Sequence, residues 1–128
     1  EVLLMPTRIY ARSIVRLLNS YRRKKVVSGM AHITGGGLPG NVNRALPEKL
    51  DAVIDLASWT PPPVFPFLER HGNVERDEMF RVFNMGVGYT LIVRPNFVDG
   101  VLRKLRKLGE EAWVLGTITK GSGKVVLR

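Results

Sequence analysis

The exchange of periodicities along the chain constrains its fold more than any single residue. A helical stripe at Tyr10, Ile14, Leu17, Leu18 and Tyr21 gives way to an apolar, strand-like run from Val26 to Thr34, and the two patterns alternate to the end. Elements in that order bury their apolar faces by laying helices on a sheet. The spacing predicts a short helix from Pro39 or Asn41 to Leu46, stopped by Pro47, then a strand from Leu50 to Leu56. A helix from Val64 to Arg70 follows, which Gly72 can end, and Asn73 is placed to cap another reaching Phe83, with Val74, Met79, Val82 and Phe83 turned inward. A strand is expected from Val87 to Arg94. Asn96 is placed to cap a helix striped by Val98, Val101, Leu102, Leu105 and Leu108 and ended by Gly109. The last strands are expected at Trp113–Thr119 and Lys124–Leu127, joined by a hairpin turn at Gly121-Ser122-Gly123. That closing hairpin favours a mixed sheet over a purely parallel one.

Composition narrows the function classes. With 128 residues, 45% of them hydrophobic, the chain can bury a core as one domain without staples. The absence of cysteine excludes disulfides and thiolate metal sites and fits a reducing compartment without requiring one; a cytoplasmic location is expected. No apolar run reaches membrane-spanning length, and Glu1-Val2-Leu3-Leu4-Met5-Pro6 does not read as a signal peptide. It also lacks an initiator Met, which suggests a piece of something longer. The net charge of +9 favours anionic partners such as phosphorylated metabolites, nucleic acid or a membrane surface, unless it is a lopsided surface complemented elsewhere. The basic stretches Arg22–Lys25 and Arg103–Lys107 lack interleaved aromatic residues, so nucleic acid is not the expected partner, and no membrane partner is expected.

The stretch richest in chemistry is His32-Ile33-Thr34-Gly35-Gly36-Gly37-Leu38-Pro39-Gly40-Asn41, read as strand end, glycine loop and helix start. Glycines let backbone N–H groups approach an anion, and helix starts expose unpaired donors. Gly35, Gly36 and Gly37 therefore read as a phosphate cradle, with Thr34 and Asn41 as added hydrogen-bonding groups and His32 as a group that could bond or move a proton. The structural alternative is a tight turn that needs positive φ. The loop is neither a Walker A sequence nor a dinucleotide fingerprint. Asn84-Met85-Gly86-Val87-Gly88 is a second glycine-bearing turn, in which Asn84 and Gly86 are either turn residues or ligand contacts. Arg8, in Pro6-Thr7-Arg8, could place a guanidinium near a phosphate or stand as a solvated charge. Asp51 and Asp55 share a strand face as a conceivable metal pair or as strand-end acids, and no metal site is expected.

In order along the chain, Pro6-Thr7-Arg8-Ile9-Tyr10, Ala31-His32-Ile33-Thr34-Gly35-Gly36-Gly37, Arg44-Ala45-Leu46-Pro47, Ser58-Trp59, Gly72-Asn73-Val74-Glu75, Glu78-Met79-Phe80-Arg81, Phe83-Asn84-Met85-Gly86-Val87-Gly88 and Glu111-Ala112-Trp113 together resemble the C-terminal domain of aminoimidazole ribonucleotide synthetases (phosphoribosylformylglycinamidine cyclo-ligases). The resemblance implies an α+β fold of α/β/α layers, with a mixed sheet, flanking helices and a partly ferredoxin-like topology. It implies one C-terminal substrate-binding domain over residues 1–128, with an N-terminal ATP-binding domain outside this chain. The implied reaction is ATP-dependent closure of the imidazole ring of formylglycinamidine ribonucleotide, in a homodimer whose ATP and Mg²⁺ sit mostly on the N-terminal domain. No cofactor is then expected on this chain alone, and the isolated domain is expected to be inactive. The resemblance further implies substrate-phosphate contacts from Thr34, Gly35, Gly36, Gly37, Asn41, Thr7 and Arg8, a proton-handling role for His32, and possible ligand contacts from Asn84 and Gly86. The chain departs from the family's usual residues at Gly40, Asn43 and Met85, where an acid, a proline and a cysteine are customary. Two other readings stay open: a diverged paralogue with another phosphorylated substrate, and a non-enzymatic basic module that binds polyanions.

Overall fold

The computed structural model describes residues 2–128. Its regular elements are Ala11–Asn19 (α1), Val27–His32 (β1), Gly37–Val42 (α2), Leu50–Ile54 (β2), Val64–Gly72 (α3), Arg76–Val82 (α4), Tyr89–Val93 (β3), Val98–Lys107 (α5), Gly116–Lys120 (β4) and Val125–Leu127 (β5). The fold is α+β, as the alternating periods require. Its strands form two sheets: an antiparallel pair β1–β3, and a mixed sheet in the order β4–β2–β5.

The buried apolar residues form two clusters. Leu17 of α1 and Val101 and Leu105 of α5 close on Val26, Leu91 and Val93 of the first sheet. The larger cluster joins Ala52 and Ile54 of β2 to Leu38 and Val42 of α2, Met79 and Phe80 of α4, and Met85 and Val87 of the turn before β3. Within α4 the buried pair is Met79 and Phe80, whereas Val82 is 47% exposed. The helix begins only at Arg76, so residues 79, 80 and 83 share its inner face and Val82 falls outside it.

Local chemistry differs from expectation at two caps. Asn73 stands at φ 48°, ψ 44° and closes α3, a left-handed position that asparagine tolerates, while Glu75 precedes α4. Asn96 lies inside a 3₁₀ turn, Pro95–Phe97, and Phe97 precedes α5. Gly109, at φ 83°, ends α5 as its position in the sequence implies.

The expected closing hairpin is absent. β4 and β5 do not pair with each other; β2 lies between them, antiparallel to β4 and parallel to β5. The connection therefore arches over the start of β2, where the Asp51 carboxylate accepts from the Ser122 and Lys124 N–H groups, each at 2.8 Å. Gly121 packs so closely there that a Cβ would stand 2.0 Å from the Asp51 carboxyl carbon. The Lys124 and Ser122 N–H groups hold the Asp51 carboxyl below the usual carboxylate range, partly opposed by desolvation. A carboxylate depressed in the folded state contributes stability above its unfolded pKa and loses it as pH falls through the folded value. Melting temperatures followed below pH about 4 should fall more steeply for the wild type than for Asp51→Asn. Parallel slopes for the two proteins would show that the arch is held without this carboxylate.

Candidate glycine-loop site

β1 delivers the chain to the loop through Ile33, which is buried and donates its N–H to the Gly88 carbonyl at 2.9 Å. The chain then turns: the Gly37 N–H donates to Thr34 O at 3.0 Å, and Gly36 and Gly37 stand at φ 96° and 59°. α2 follows at once, beginning at Gly37, two residues before the earliest expected start at Pro39, and tightens into a 3₁₀ turn at Asn43–Ala45. Gly37 presses against the end of α4, where a Cβ would lie 1.8 Å from the Phe80 carbonyl oxygen and 2.9 Å from that of Phe83. Gly35 and Gly40 face open space, with no atom within 4 Å of the place a Cβ would take. No steric demand therefore requires glycine at either of them.

Asn41 organises the loop from inside. It is buried, and its side-chain amide donates to Gly37 O at 2.8 Å and to Thr34 O and Gly35 O at 3.2 Å each. Its Oδ1 faces the Thr34 hydroxyl at 3.5 Å. The loop carbonyls are thus drawn inward. Among the described residues, no acceptor takes the N–H of Gly35 or Gly36, both of which are exposed. A depression of about 560 Å³ adjoins Gly36 and is lined also by Pro39, Gly40, Glu78, Arg81 and Val82. Arg81, 73% exposed, holds its guanidinium 3.1 Å from Glu78. Only the packing of α2 against α4 brings residue 81 to the glycine loop.

The other expected residues fall in separate places. His32 is exposed at the end of β1 and lies among the rings of Tyr10 and Tyr89. Thr7 and Arg8 lie on the segment leading into α1. Arg8 is turned to the end of α5, with Nη2 donating to Gly109 O at 2.8 Å and Nε 2.9 Å from Glu110. Asn84 shapes its own turn: its Oδ1 accepts from the Gly86 N–H at 2.9 Å, with Met85 and Gly86 at φ 52° and 93°. A Cβ on Gly86 would meet Pro62 at 2.5 Å, so this glycine has a packing reason. Asp55 accepts from the Ala57 N–H, and Asp51 holds the β4–β5 arch, so the two acids serve the backbone separately. His71 stacks on Phe67 at 4.1 Å.

A larger cavity of about 690 Å³ separates the two sheets, its lining mostly apolar and including Ile54, Leu91, Trp113 and Ile118. It lacks the convergent N–H donors of the glycine loop. Among the described residues there is no group of His, Asp or Glu that could hold a metal ion, and no helix is long and apolar enough to cross a membrane.

A family model described as "AIR synthase related protein, C-terminal domain" matches residues 1–128. Among curated proteins, the phosphoribosylformylglycinamidine cyclo-ligase of Bacillus velezensis is 46% identical over 96% of this chain and 34% of its own length. That of Pseudothermotoga lettingae is 45% identical over 99% of the chain and 36% of its own length, and that of Trichlorobacter lovleyi 49% over 92% and 33%. The chain spans about a third of the length of the curated relatives it matches.

Proposed function

The chain belongs to the family of AIR synthase related protein C-terminal domains, and on that premise we propose that it is the substrate-phosphate-binding domain of a phosphoribosylformylglycinamidine cyclo-ligase. The whole enzyme would close the imidazole ring of formylglycinamidine ribonucleotide at the expense of ATP, in the cytoplasm and as a homodimer. ATP and Mg²⁺ would be held mostly by a separate N-terminal domain. The contribution of this chain would be binding and orientation of the substrate. The exposed apolar residues Leu3, Leu4, Met5 and Ile9, between 74% and 86% exposed, support docking of a further domain along this segment.

The observation that carries the reading is the pair of unclaimed N–H groups on the exposed Gly35 and Gly36, in a loop whose carbonyls Asn41 binds. Arg81 adds a cation at the rim of the depression beside Gly36, and the exposed Thr34 stands one residue before Gly35. Asn41 serves this site by shaping it. The same arrangement favours a compact phosphate monoester over an extended polyanion, because its donors converge on one loop.

Inorganic phosphate, ribose 5-phosphate and formylglycinamidine ribonucleotide titrated into the ¹⁵N-labelled chain should shift the Gly35 and Gly36 amides saturably. Arg81→Ala should weaken phosphate on the order of fivefold, the value of about 1 kcal/mol expected for one exposed charge-assisted contact. Shifts confined to Arg22–Lys25 and Arg103–Lys107, growing with a DNA duplex and lost in salt, would replace this reading with that of a polyanion-binding surface.

A further inference from the structure

Beside the glycine loop lies a ring cluster that phosphate binding leaves unused. The Tyr10 and His32 rings meet edge to face at 5.8 Å, His32 and Tyr89 stack at 5.9 Å, and Tyr10 and Tyr89 lie 5.5 Å apart. His32 and Tyr89 are register partners of the β1–β3 ladder, so their side chains rise from the same face of the sheet. Tyr10 reaches them from outside the sheet, at the residue preceding α1. Its hydroxyl rests on Gly88, where a Cβ would stand 1.8 Å from the oxygen, so the ring's seat depends on a glycine one residue before Tyr89.

Tyr10 is itself held from both sides in sequence. Arg8, two residues before it, is bound to Gly109 O and Glu110; Ser13, one turn after it, donates to the other Glu110 oxygen at 2.5 Å. One carboxylate, 13% exposed, thus fixes both flanks of Tyr10 to the end of α5. Burial pushes the pKa of the Tyr10 phenol up, Arg8 opposes that and Glu110 adds to it.

An exposed strand histidine would ordinarily exchange rotamers freely. Here two rings confine it, and the residue two places on along the same strand direction is Thr34, at the glycine loop. We propose that Tyr10, braced by Arg8, Glu110 and Ser13, is a positioning residue that holds the His32 imidazole where it meets the part of a ribonucleotide ligand beyond its phosphate. This rests on the glycine loop being the phosphate site. It gives Arg8 a bracing role in place of the direct phosphate contact.

The test has one readout that needs no ligand. The chain has two histidines, so the ring protons of His32 are assigned by difference from His71→Gln. In Tyr10→Ala the His32 ring protons should move toward their free-histidine positions, with a smaller movement in Glu110→Gln. Tyr10→Phe should restore the wild-type positions, and His71 should not respond in any variant. Amides remote from residues 7–13, 30–34 and 86–90 report whether the fold persists. The second readout compares ligands. Tyr10→Ala should leave the affinity for inorganic phosphate unchanged and weaken formylglycinamidine ribonucleotide about tenfold, with rescue by Tyr10→Phe. His32 resonances indifferent to Tyr10→Ala, or equal losses for both ligands, would overturn the proposal. Phosphate that fails to shift Gly35 and Gly36 overturns the phosphate reading instead, and the proposal with it, while the His32 ring signals still show whether Tyr10 holds the imidazole.

Discussion

Gly37→Ala is expected to destabilise the domain by on the order of 4 kcal/mol or more, enough to unfold a large fraction of it at physiological temperature. Two costs add. The residue stands at φ 59°, where a side chain is strained. Its Cβ would also lie 1.8 Å from the Phe80 carbonyl oxygen, and that obstacle is backbone of α4, which cannot swing aside as a side-chain tip could. Relief requires moving α2 away from α4, which opens the cluster around Leu38 and Met79, both 0% exposed. Gly35→Ala, by contrast, meets no atom within 4 Å and should change the denaturation midpoint little. Urea unfolding of the two variants checks the contrast; equal midpoints would mean that the close approach at Gly37 is not maintained in solution.

Asn41→Ala should have the next largest effect, about 2–4 kcal/mol of stability together with loss of phosphate binding. The amide of Asn41 serves Thr34, Gly35 and Gly37 at once, and the bond to Gly37 is buried. Without it the buried Gly37 carbonyl keeps only its helical donor, Gly35 O loses its side-chain donor, and the loop is free to turn its N–H groups elsewhere. Phosphate affinity should therefore fall even though Asn41 does not itself face the ligand. Denaturation and phosphate titration of the same variant separate the two effects. Retained affinity in a destabilised variant would show that the loop holds its shape through Gly36 and Gly37 alone.

Much of the architecture could be read because it depends on local pattern. The stripe of α5 with its Gly109 stop, and the stripe of α1 except for Leu18, which is 38% exposed, follow from helical spacing. What could not be read is long-range. Trp113 to Leu115 look like strand, yet β4 begins only at Gly116, because Trp113 and Leu115 pack on the larger cluster. Glycines between two apolar runs suggest a hairpin equally whether the runs pair or straddle a third strand. The glycine loop was legible as a site candidate by residue type, while the direction of its groups was not. Asparagine can bond a ligand or its own backbone, and burial at position 41 decides for the backbone. Arg81 stands in the Glu78-Met79-Phe80-Arg81 segment, yet nothing in that segment places it beside the glycine loop.

The position of β2 also sets an order of events during synthesis. Both of its edges are completed by strands that come much later: Ile54 pairs with Gly116 on one side and with Leu127 on the other. Until those residues have emerged, β2 carries two bare rows of N–H and C=O groups beside an apolar face, the kind of edge that recruits foreign strands. Pairings of such sequence separation are also slow to form. The nascent chain therefore passes through a long interval in which the first sheet's local helices can settle while the second sheet is open at both sides, and a chain cut short before Gly116 would keep both of those edges for good.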